Sequence, residues 1–216
     1  MSDARASILN ALQAGQPWVP KPLAVLGESF SAAESREILA ARFALEAQAS
    51  DAEVVVAKDT DDALRILTEL TRGKHVMAWE LGSLGRQLAA GAIEGGGSWT
   101  TQVGSDRSRL ELGITGCDRA IADTGSVVLV AGPGQLREAS LVVRTHVVLV
   151  DPGDIVPDLP TALQWVAGLG TGAAHVNIVT GPSRTADIEM TLTRGVHGPK
   201  RLIAVVAPWR AMTKES

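Results

Sequence analysis

Two segments combine glycines with hydroxyl and charged side chains, and these are the positions where the sequence could support chemistry. The first, residues 113–126, places Asp123 beside a glycine turn. The second, residues 181–199, begins with a Gly-Pro-Ser-Arg-Thr run and contains His197 in a glycine-rich loop. Carboxylate and imidazole groups are the usual carriers of protons in enzymes. We therefore predict that the two segments form the functional site, with Asp123 and His197 as candidate catalytic residues.

The second segment has the pattern of an anion-binding junction between a strand and a helix. Gly181 permits a turn, and Ser183 or Thr185 can cap a helix that we predict over residues 183–194. Free amides at such a helix start favour an anion, and Arg184 can add a bidentate contact to a carboxylate or phosphate. In the alternative, the hydroxyls only cap the helix and Arg184 pairs with Asp187 or Glu189. The spacing does not decide between them.

The first segment also supports two interpretations. Asp123 could be an acid or base, a nucleophile, or a hydrogen-bond acceptor for a ligand. Alternatively, it could belong to a turn in which the aspartate binds its own backbone. His197 is the best candidate among the four histidines because it lies in a polar loop. The other three border predicted strands and are interpreted as structural: His75, His146 and His175. Their wide separation argues against a zinc site.

The single cysteine, Cys117, limits the redox chemistry of this chain. One thiol cannot close an internal disulfide or supply the four thiolates that an iron–sulfur cluster normally needs. We therefore expect no cofactor in this chain, so any electron-transfer cluster would lie in a partner protein. Cys117 itself would be reactive near a helix start, but a small buried apolar residue is the more common role.

The composition fits one α/β domain and excludes several classes of protein. The chain has 216 residues, of which 45% are hydrophobic, enough for a sizeable core. Its net charge is −4 and no basic stripe stands out, so we expect no nucleic-acid partner. No apolar run approaches about 18 residues, and the N-terminus lacks a signal-peptide pattern. We therefore expect a cytoplasmic protein that does not contact a membrane.

Short β-branched blocks alternate with helical patterns, which predicts an open, mainly parallel sheet flanked by helices. Residues 1–30 are predicted to form a short helical arm and a proline-containing connector, and residues 31–216 the α/β domain. A capping box of Ser31 and Glu34 is predicted to start the first domain helix. Strands are predicted at 53–57, 75–79, 120–122, 126–131, 147–150, 176–180 and 202–206. Helices are predicted at 2–14, 31–49, 60–71, 81–92, 159–168 and 183–194, with one or two helical turns at 105–112.

Several motifs together resemble the lactate-utilization protein C family, the stand-alone LUD-domain proteins. They occur in order, over most of residues 31–207: Gly113-Ile114-Thr115, Ala122-Asp123-Thr124-Gly125-Ser126, Arg137 with Ala139-Ser140-Leu141, Gly181-Pro182-Ser183-Arg184-Thr185-Ala186-Asp187-Ile188-Glu189, and Gly195-Val196-His197-Gly198-Pro199. The resemblance implies a fold akin to the NagB/RpiA/CoA-transferase-like superfamily. It also marks the motif positions as a presumed ligand site: Gly125, Ser126, Gly181, Ser183, Arg184 and Thr185.

The resemblance implies a role in bacterial oxidation of L-lactate to pyruvate beside iron–sulfur partner proteins. In the first hypothesis the chain is an accessory subunit that binds these partners and a small carboxylate or phosphate. In the second it is a self-sufficient enzyme on a CoA-transferase-like scaffold, acting on an acyl or phosphorylated substrate, with Asp123 as acid, base or nucleophile. A third possibility is a regulatory ligand sensor. The first is favoured because the chain lacks cluster-binding motifs. Neither the oligomeric state nor the true ligand follows from the sequence.

Overall fold

A computed structural model describes residues 34–102, 109–170, 175–185, 193–194 and 198–213 of the chain. The predicted N-terminal arm and His197 lie outside these described residues. The domain boundary predicted near residue 31 therefore stays a prediction.

The described chain forms two sheets with helices packed beside them, which confirms the predicted α/β class. The strands are β1 (Glu53–Val56), β2 (His75–Ala78), β3 (Ser98–Thr100), β4 (Leu112–Gly116), β5 (Arg119–Ile121), β6 (Ser126–Ala131), β7 (Thr145–Val150), β8 (Ile155–Val156), β9 (His175–Val179), β10 (Arg184–Thr185), β11 (Thr193–Arg194) and β12 (Arg201–Val206). The helices are α1 (Arg36–Ala49), α2 (Thr60–Thr71), α3 (Gly82–Glu94), α4 (Leu159–Ala167) and α5 (Trp209–Met212). None of the described helices is long and apolar enough to cross a membrane.

Six strands form the main sheet in the order β1-β12-β7-β4-β2-β3, and every pair in it is parallel. Its central strands are buried on both faces, as expected for a parallel sheet covered by helices. A second sheet has the order β8-β5-β6-β9, in which the predicted strands on either side of the Gly125 turn pair antiparallel as a hairpin, β5 with β6. The predicted open and mainly parallel sheet is thus present.

Helix α1 begins later than its predicted capping box. Its N-cap is Ser35, whose hydroxyl accepts a hydrogen bond from the Ile38 amide at 3.4 Å. Glu34 instead forms a salt bridge with Arg42 at 2.8 Å. The predicted start at residue 31 is therefore wrong, because Ser35, directly before the first helical residue Arg36, supplies the cap.

The prediction missed strand β4 and assigned residues 105–112 to helical turns. The described part of that segment, from Arg109, contains no helix and enters a fully buried central strand at Leu112. Two glycines weaken the strand pattern, yet each is required by packing. A Cβ at Gly113 would lie 1.8 Å from the Ala139 carbonyl oxygen, and one at Gly116 would lie 2.6 Å from the Trp209 ring. Close packing therefore explains residues that look like loop positions in the sequence.

The helix predicted over residues 183–194 is wrong at both of its ends. Arg184 and Thr185 lie in β10, which pairs antiparallel with Thr193 and Arg194 of β11. The Ser183 amide is not a free helix-start donor, because it donates to the Pro199 carbonyl at 2.9 Å. Pairing with distant backbone therefore overrides the local capping pattern. No helix begins at Ser183, so a helix dipole does not contribute to anion binding at this position.

Candidate functional site

A cavity of about 640 Å³ brings the second predicted segment beside the main sheet. We call it the His146 cavity, because this histidine from β7 forms part of its wall. Leu202 of β12 also lines it, and both residues are the second residue of their strands, so the cavity lies toward the amino ends of β7 and β12. Among the described residues, the wall is completed by Ser140, Leu141, Asn177, Ile178, Val179, Thr180, Gly181, Pro182, Ser183, Arg184, Gly198 and Pro199.

His146 is the most unusual polar group of this wall, and sequence reasoning interpreted it as structural. Its side chain is 1% exposed, and its Nε2 lies 2.8 Å from the Thr115 hydroxyl. Its Nδ1 has no hydrogen-bond partner among the described residues. Burial lowers the pKa of this imidazole to about 3, because charging it would require desolvating the cation. His146 is therefore neutral at physiological pH and keeps one buried nitrogen available for hydrogen bonding.

Hydroxyl groups link the wall to the first predicted segment. Ser126 follows the Gly125 turn, and its hydroxyl lies 2.6 Å from the Thr180 hydroxyl at the end of β9. Thr124 donates to the Ser126 hydroxyl at 2.8 Å. Thr115, which holds His146, also belongs to the first segment. The structure therefore brings parts of both predicted segments to one place.

The C-terminal end of α1 is the element that joins the two segments. Gly125 has φ +60°, and a Cβ there would lie 2.0 Å from the Ala47 amide nitrogen. Gly181 has φ +68°, and a Cβ there would lie 2.1 Å from the Ser50 carbonyl oxygen. Both positions combine a left-handed backbone with close contact to a neighbouring chain segment, so both require glycine.

Arg184 lies at the edge of this arrangement and is engaged by the protein itself. Its Nη2 donates to the Ser50 carbonyl at 2.9 Å, and its Nη1 lies 3.6 Å from the Asp51 carboxylate. A cation at the C-terminal end of a helix is stabilised by the helix dipole. Both partners are remote in the chain, and Asp187 and Glu189, the partners that the sequence offers, lie outside the described residues. Arg184 also lines the His146 cavity.

Asp123 lies in the turn between β5 and β6 and does not belong to the described wall of the His146 cavity. Its carboxylate is 3.2 Å from the Arg42 Nε on α1, and the two side chains are 41% and 33% exposed. The turn is therefore held by a partly exposed ion pair that spans two elements. This contact gives the Asp123 carboxylate a structural role in holding the turn against α1.

A second polar region lies where β4, β7 and β12 end, and we call it the carboxyl-end cluster. Its centre is Asp154, whose carboxylate lies 3.3 Å from Arg119 and 2.5 Å from Arg210. Arg210 also donates to the Cys117 carbonyl at 3.1 Å. The neighbouring Asp118 accepts a hydrogen bond from the Val130 amide, and burial raises the pKa of its carboxyl group. The cluster is thus a network of mutually paired charges.

Comparison with known proteins identifies the family of this chain. A model of the LUD domain family matches residues 40–207. The chain belongs to the LUD domain family. Lactate utilization protein C from Exiguobacterium sp. is 34% identical over 154 residues, which cover 68% of this chain and 66% of that protein. Lactate utilization protein C from Macrococcus caseolyticus is 38% identical over 102 residues, 45% of this chain and 44% of that protein. The matched segment thus spans between about two fifths and two thirds of these relatives.

A solved structure supports the LUD fold. The crystal structure of a DUF162 family protein from Deinococcus radiodurans superposes with a TM-score of 0.59 at 21% sequence identity. The match covers 81% of this chain and 99% of that chain. At this identity the likeness concerns the fold alone.

Within this LUD domain, the structure unites only part of the predicted site. Gly181, Ser183 and Arg184 line the His146 cavity, and Ser126 touches its wall through Thr180. Gly125 is a packing position, and Thr185 lies in β10. His197 lies outside the described residues. Cys117 is buried, and burial raises the pKa of its thiol, which supports the structural interpretation.

The chemistry available at the cavity is hydrogen bonding to a small polar ligand. A neutral imidazole and several hydroxyl groups line it, with one guanidinium at its edge. No group of three or more His, Cys, Asp or Glu residues in the described parts of the LUD domain is arranged to hold a metal ion. The contact that distinguishes His146 is with Thr115, which is 31 residues away in the chain, so no local sequence pattern indicates it.

Proposed function

We propose that this protein is an accessory subunit in bacterial lactate utilization, which works with iron–sulfur partner proteins and binds a small carboxylate in the His146 cavity. The support for lactate utilization is the name shared by its relatives in Exiguobacterium and Macrococcus. The support for an accessory role is that one cysteine cannot supply the thiolates of an iron–sulfur cluster. Oxidation of lactate releases two electrons, and partner proteins would have to accept them.

The observation that carries the ligand part of this proposal is the His146 cavity. Its volume of about 640 Å³ admits a small molecule, and its polar lining consists of hydroxyls, the Asn177 amide, the Arg184 guanidinium, backbone groups and one neutral imidazole. A carboxylate offers oxygen acceptors that suit these donors. The Arg184 guanidinium also lines the cavity and would favour an anion over a neutral molecule, although it already contacts the Ser50 carbonyl and the Asp51 carboxylate.

The first test is an anaerobic pull-down of the tagged full chain from its native host grown on L-lactate. We expect iron–sulfur proteins to co-elute, and the eluate to reduce an electron-accepting dye when L-lactate is added. Cells that express the tag alone provide the control. An eluate that contains the tagged chain alone and shows no lactate-dependent reduction would contradict the accessory role.

A further inference from the structure

We propose that His146 is the residue that recognises the ligand oxygen, by donating its Nδ1–H to the carboxylate of a small acid in the cavity. In this arrangement Thr115 is a positioning residue that keeps the proton on Nδ1. The choice of a carboxylate as the ligand rests on the proposed function. The assignment of the donor rests on the geometry of β4 and β7 alone.

The position of the proton follows from the Thr115 hydroxyl. A hydroxyl can either donate to Nε2 or accept from it, across the observed distance of 2.8 Å. If Thr115 accepted, its own proton would have no acceptor among the described contacts, and the Nδ1 lone pair would also remain unpaired. If Thr115 donates, both Nε2 and the hydroxyl are satisfied and only Nδ1–H remains. The second arrangement leaves fewer buried groups unpaired and is therefore favoured.

The surroundings of the ring leave no other role for this donor among the described residues. In the sheet register, His146 lies between Gly113 on β4 and Leu202 on β12, and neither offers a polar side chain. The ring is 1% exposed, so bulk water does not compensate for the missing hydrogen bond. A buried donor that lacks a partner is costly, which is why such groups commonly mark places where a ligand completes the network.

The cavity supplies the space that this completion needs. The residue that carries the unpartnered nitrogen lines the cavity together with residues of the loop after β9. Because burial keeps the imidazole neutral, the contact recognises an acceptor oxygen and adds no charge of its own. The ligand charge would be balanced at the edge of the cavity, where Arg184 lies.

The test measures binding of L-lactate and pyruvate to the purified full chain by calorimetry, in wild type and two variants. H146L removes the donor, and we expect at least about tenfold weaker binding. H146N places an amide donor near the position of Nδ1, and we expect it to stay within about threefold of wild type. H175N, which changes an exposed histidine on β9, is the matched control and should bind like wild type.

Nitrogen NMR of the histidine side chains provides a readout that does not depend on a variant folding. We expect a resonance of protonated Nδ1 in the free wild type that shifts when L-lactate is added. T115V should increase the population of the other tautomer, a spectroscopic change that loss of packing alone would not produce.

Three results would overturn the inference. The first is an H146L variant that binds L-lactate or pyruvate as tightly as wild type. The second is a His146 resonance that carries its proton on Nε2 in the free protein. The third is a wild type that binds neither probe. The pull-down decides the accessory role separately, so co-eluting iron–sulfur proteins without probe binding would remove the ligand assignment and leave the accessory role standing.

Discussion

The two polar regions of the main sheet differ in how completely their groups are paired. In the carboxyl-end cluster, Asp154 contacts two arginines, and one of these also binds a backbone carbonyl. At the amino ends of the strands, His146 is more deeply buried, lines a cavity and has one nitrogen without a partner among the described residues. The charged groups Asp154, Arg119 and Arg210 of the cluster are paired, whereas the titratable His146 of the cavity keeps one nitrogen unpaired. The Trp209 indole nitrogen beside the cluster also has no partner among the described residues, but it does not titrate. A high density of charged side chains therefore does not by itself indicate a ligand site when the charges are paired with one another.

The position of the cavity is also informative. Ligands of open parallel sheets usually bind beyond the carboxyl ends of the strands. Here that edge holds the paired cluster, and the cavity with the predicted segment lies toward the amino ends, beside the second sheet. Strand β9 of the second sheet and the loop after it form part of the cavity wall, which a single parallel sheet would not provide.

The largest effect is expected from Gly181→Ala, which disrupts the packing of the cavity wall against the end of α1. The new Cβ would combine a φ of +68° with a contact of 2.1 Å to the Ser50 carbonyl oxygen. We expect the free energy of unfolding to fall by about 3 kcal/mol or more, as the sum of backbone strain and overpacking. Urea denaturation followed by circular dichroism measures this change.

Gly96→Ala is the matched control for the Gly181 substitution. Gly96 has φ +87°, but no described atom lies within 4 Å of the position of its Cβ. It should therefore lose only about 1 kcal/mol through strain. Equal losses in the two variants would show that close packing on α1 does not hold the cavity wall.

The second prediction removes the centre of the carboxyl-end cluster with Asp154→Ala. This side chain is 13% exposed, and its loss leaves two arginines without their carboxylate. We expect a loss of about 2 kcal/mol in unfolding free energy, below the roughly 3–5 kcal/mol of fully buried pairs because Arg210 is half exposed. L-lactate binding should not change.

Glu53→Ala is the control for the cluster variant. Glu53 makes two contacts of 2.8 Å with Arg201, but both side chains are more than half exposed. Its loss should cost less than about 1 kcal/mol. A weaker ligand affinity in the Asp154 variant, with the fold intact, would contradict the division of roles between the two regions.

The third prediction uses pH to test the neutral state of His146. The pKa of about 3 in the folded state lies below the ordinary value of 6.5, so the unfolded state binds one more proton between these pH values. Stability due to this group is complete above pH 6.5 and is lost as the pH falls, by about 1.4 kcal/mol per pH unit. Urea unfolding at pH 7.5 and 5.5 should show about 1.4 kcal/mol of this loss in wild type, absent in H146L. Identical pH dependence in both proteins would mean that the ring is charged or solvated.

Local signals explain which elements could be predicted from the sequence. Helix α2 has its predicted bounds because Asp59 caps it, accepting from the Asp62 amide at 2.8 Å, and its apolar face has helical spacing. Strand β4 could not be recognised, since Gly113 and Gly116 are dictated by contacts with Ala139 and Trp209. Their partners are remote in sequence, so no local pattern reports them.

The same distinction separates the predicted and unpredicted parts of the site. A glycine and hydroxyl pattern after a strand predicts Gly181, Ser183 and Arg184 as ligand-site residues, and the structure places all three in the wall of the His146 cavity, although the helix predicted there is wrong at both ends. The sequence does not single out His146, because a histidine beside an apolar strand usually has a structural role. Its availability depends on the pairing of Nε2 with Thr115 and on the cavity beside it, and both are tertiary features.

The smallest effect is expected from Asp123→Asn, which separates the accessory subunit from the self-sufficient enzyme. The ion pair with Arg42 at 3.2 Å is partly exposed, so its loss should cost about 0.5 kcal/mol or less and should depend on salt. Lactate-dependent dye reduction by the purified complex and L-lactate binding by the chain should both remain at wild-type levels. Arg42→Gln removes the other half of the pair together with the contacts of Arg42 to Glu34 and to the Pro157 carbonyl, so it should lower stability more than Asp123→Asn and still leave L-lactate binding unchanged. Loss of turnover in the Asp123 variant alone, with the fold preserved, would instead assign chemistry to the turn and would support the self-sufficient enzyme.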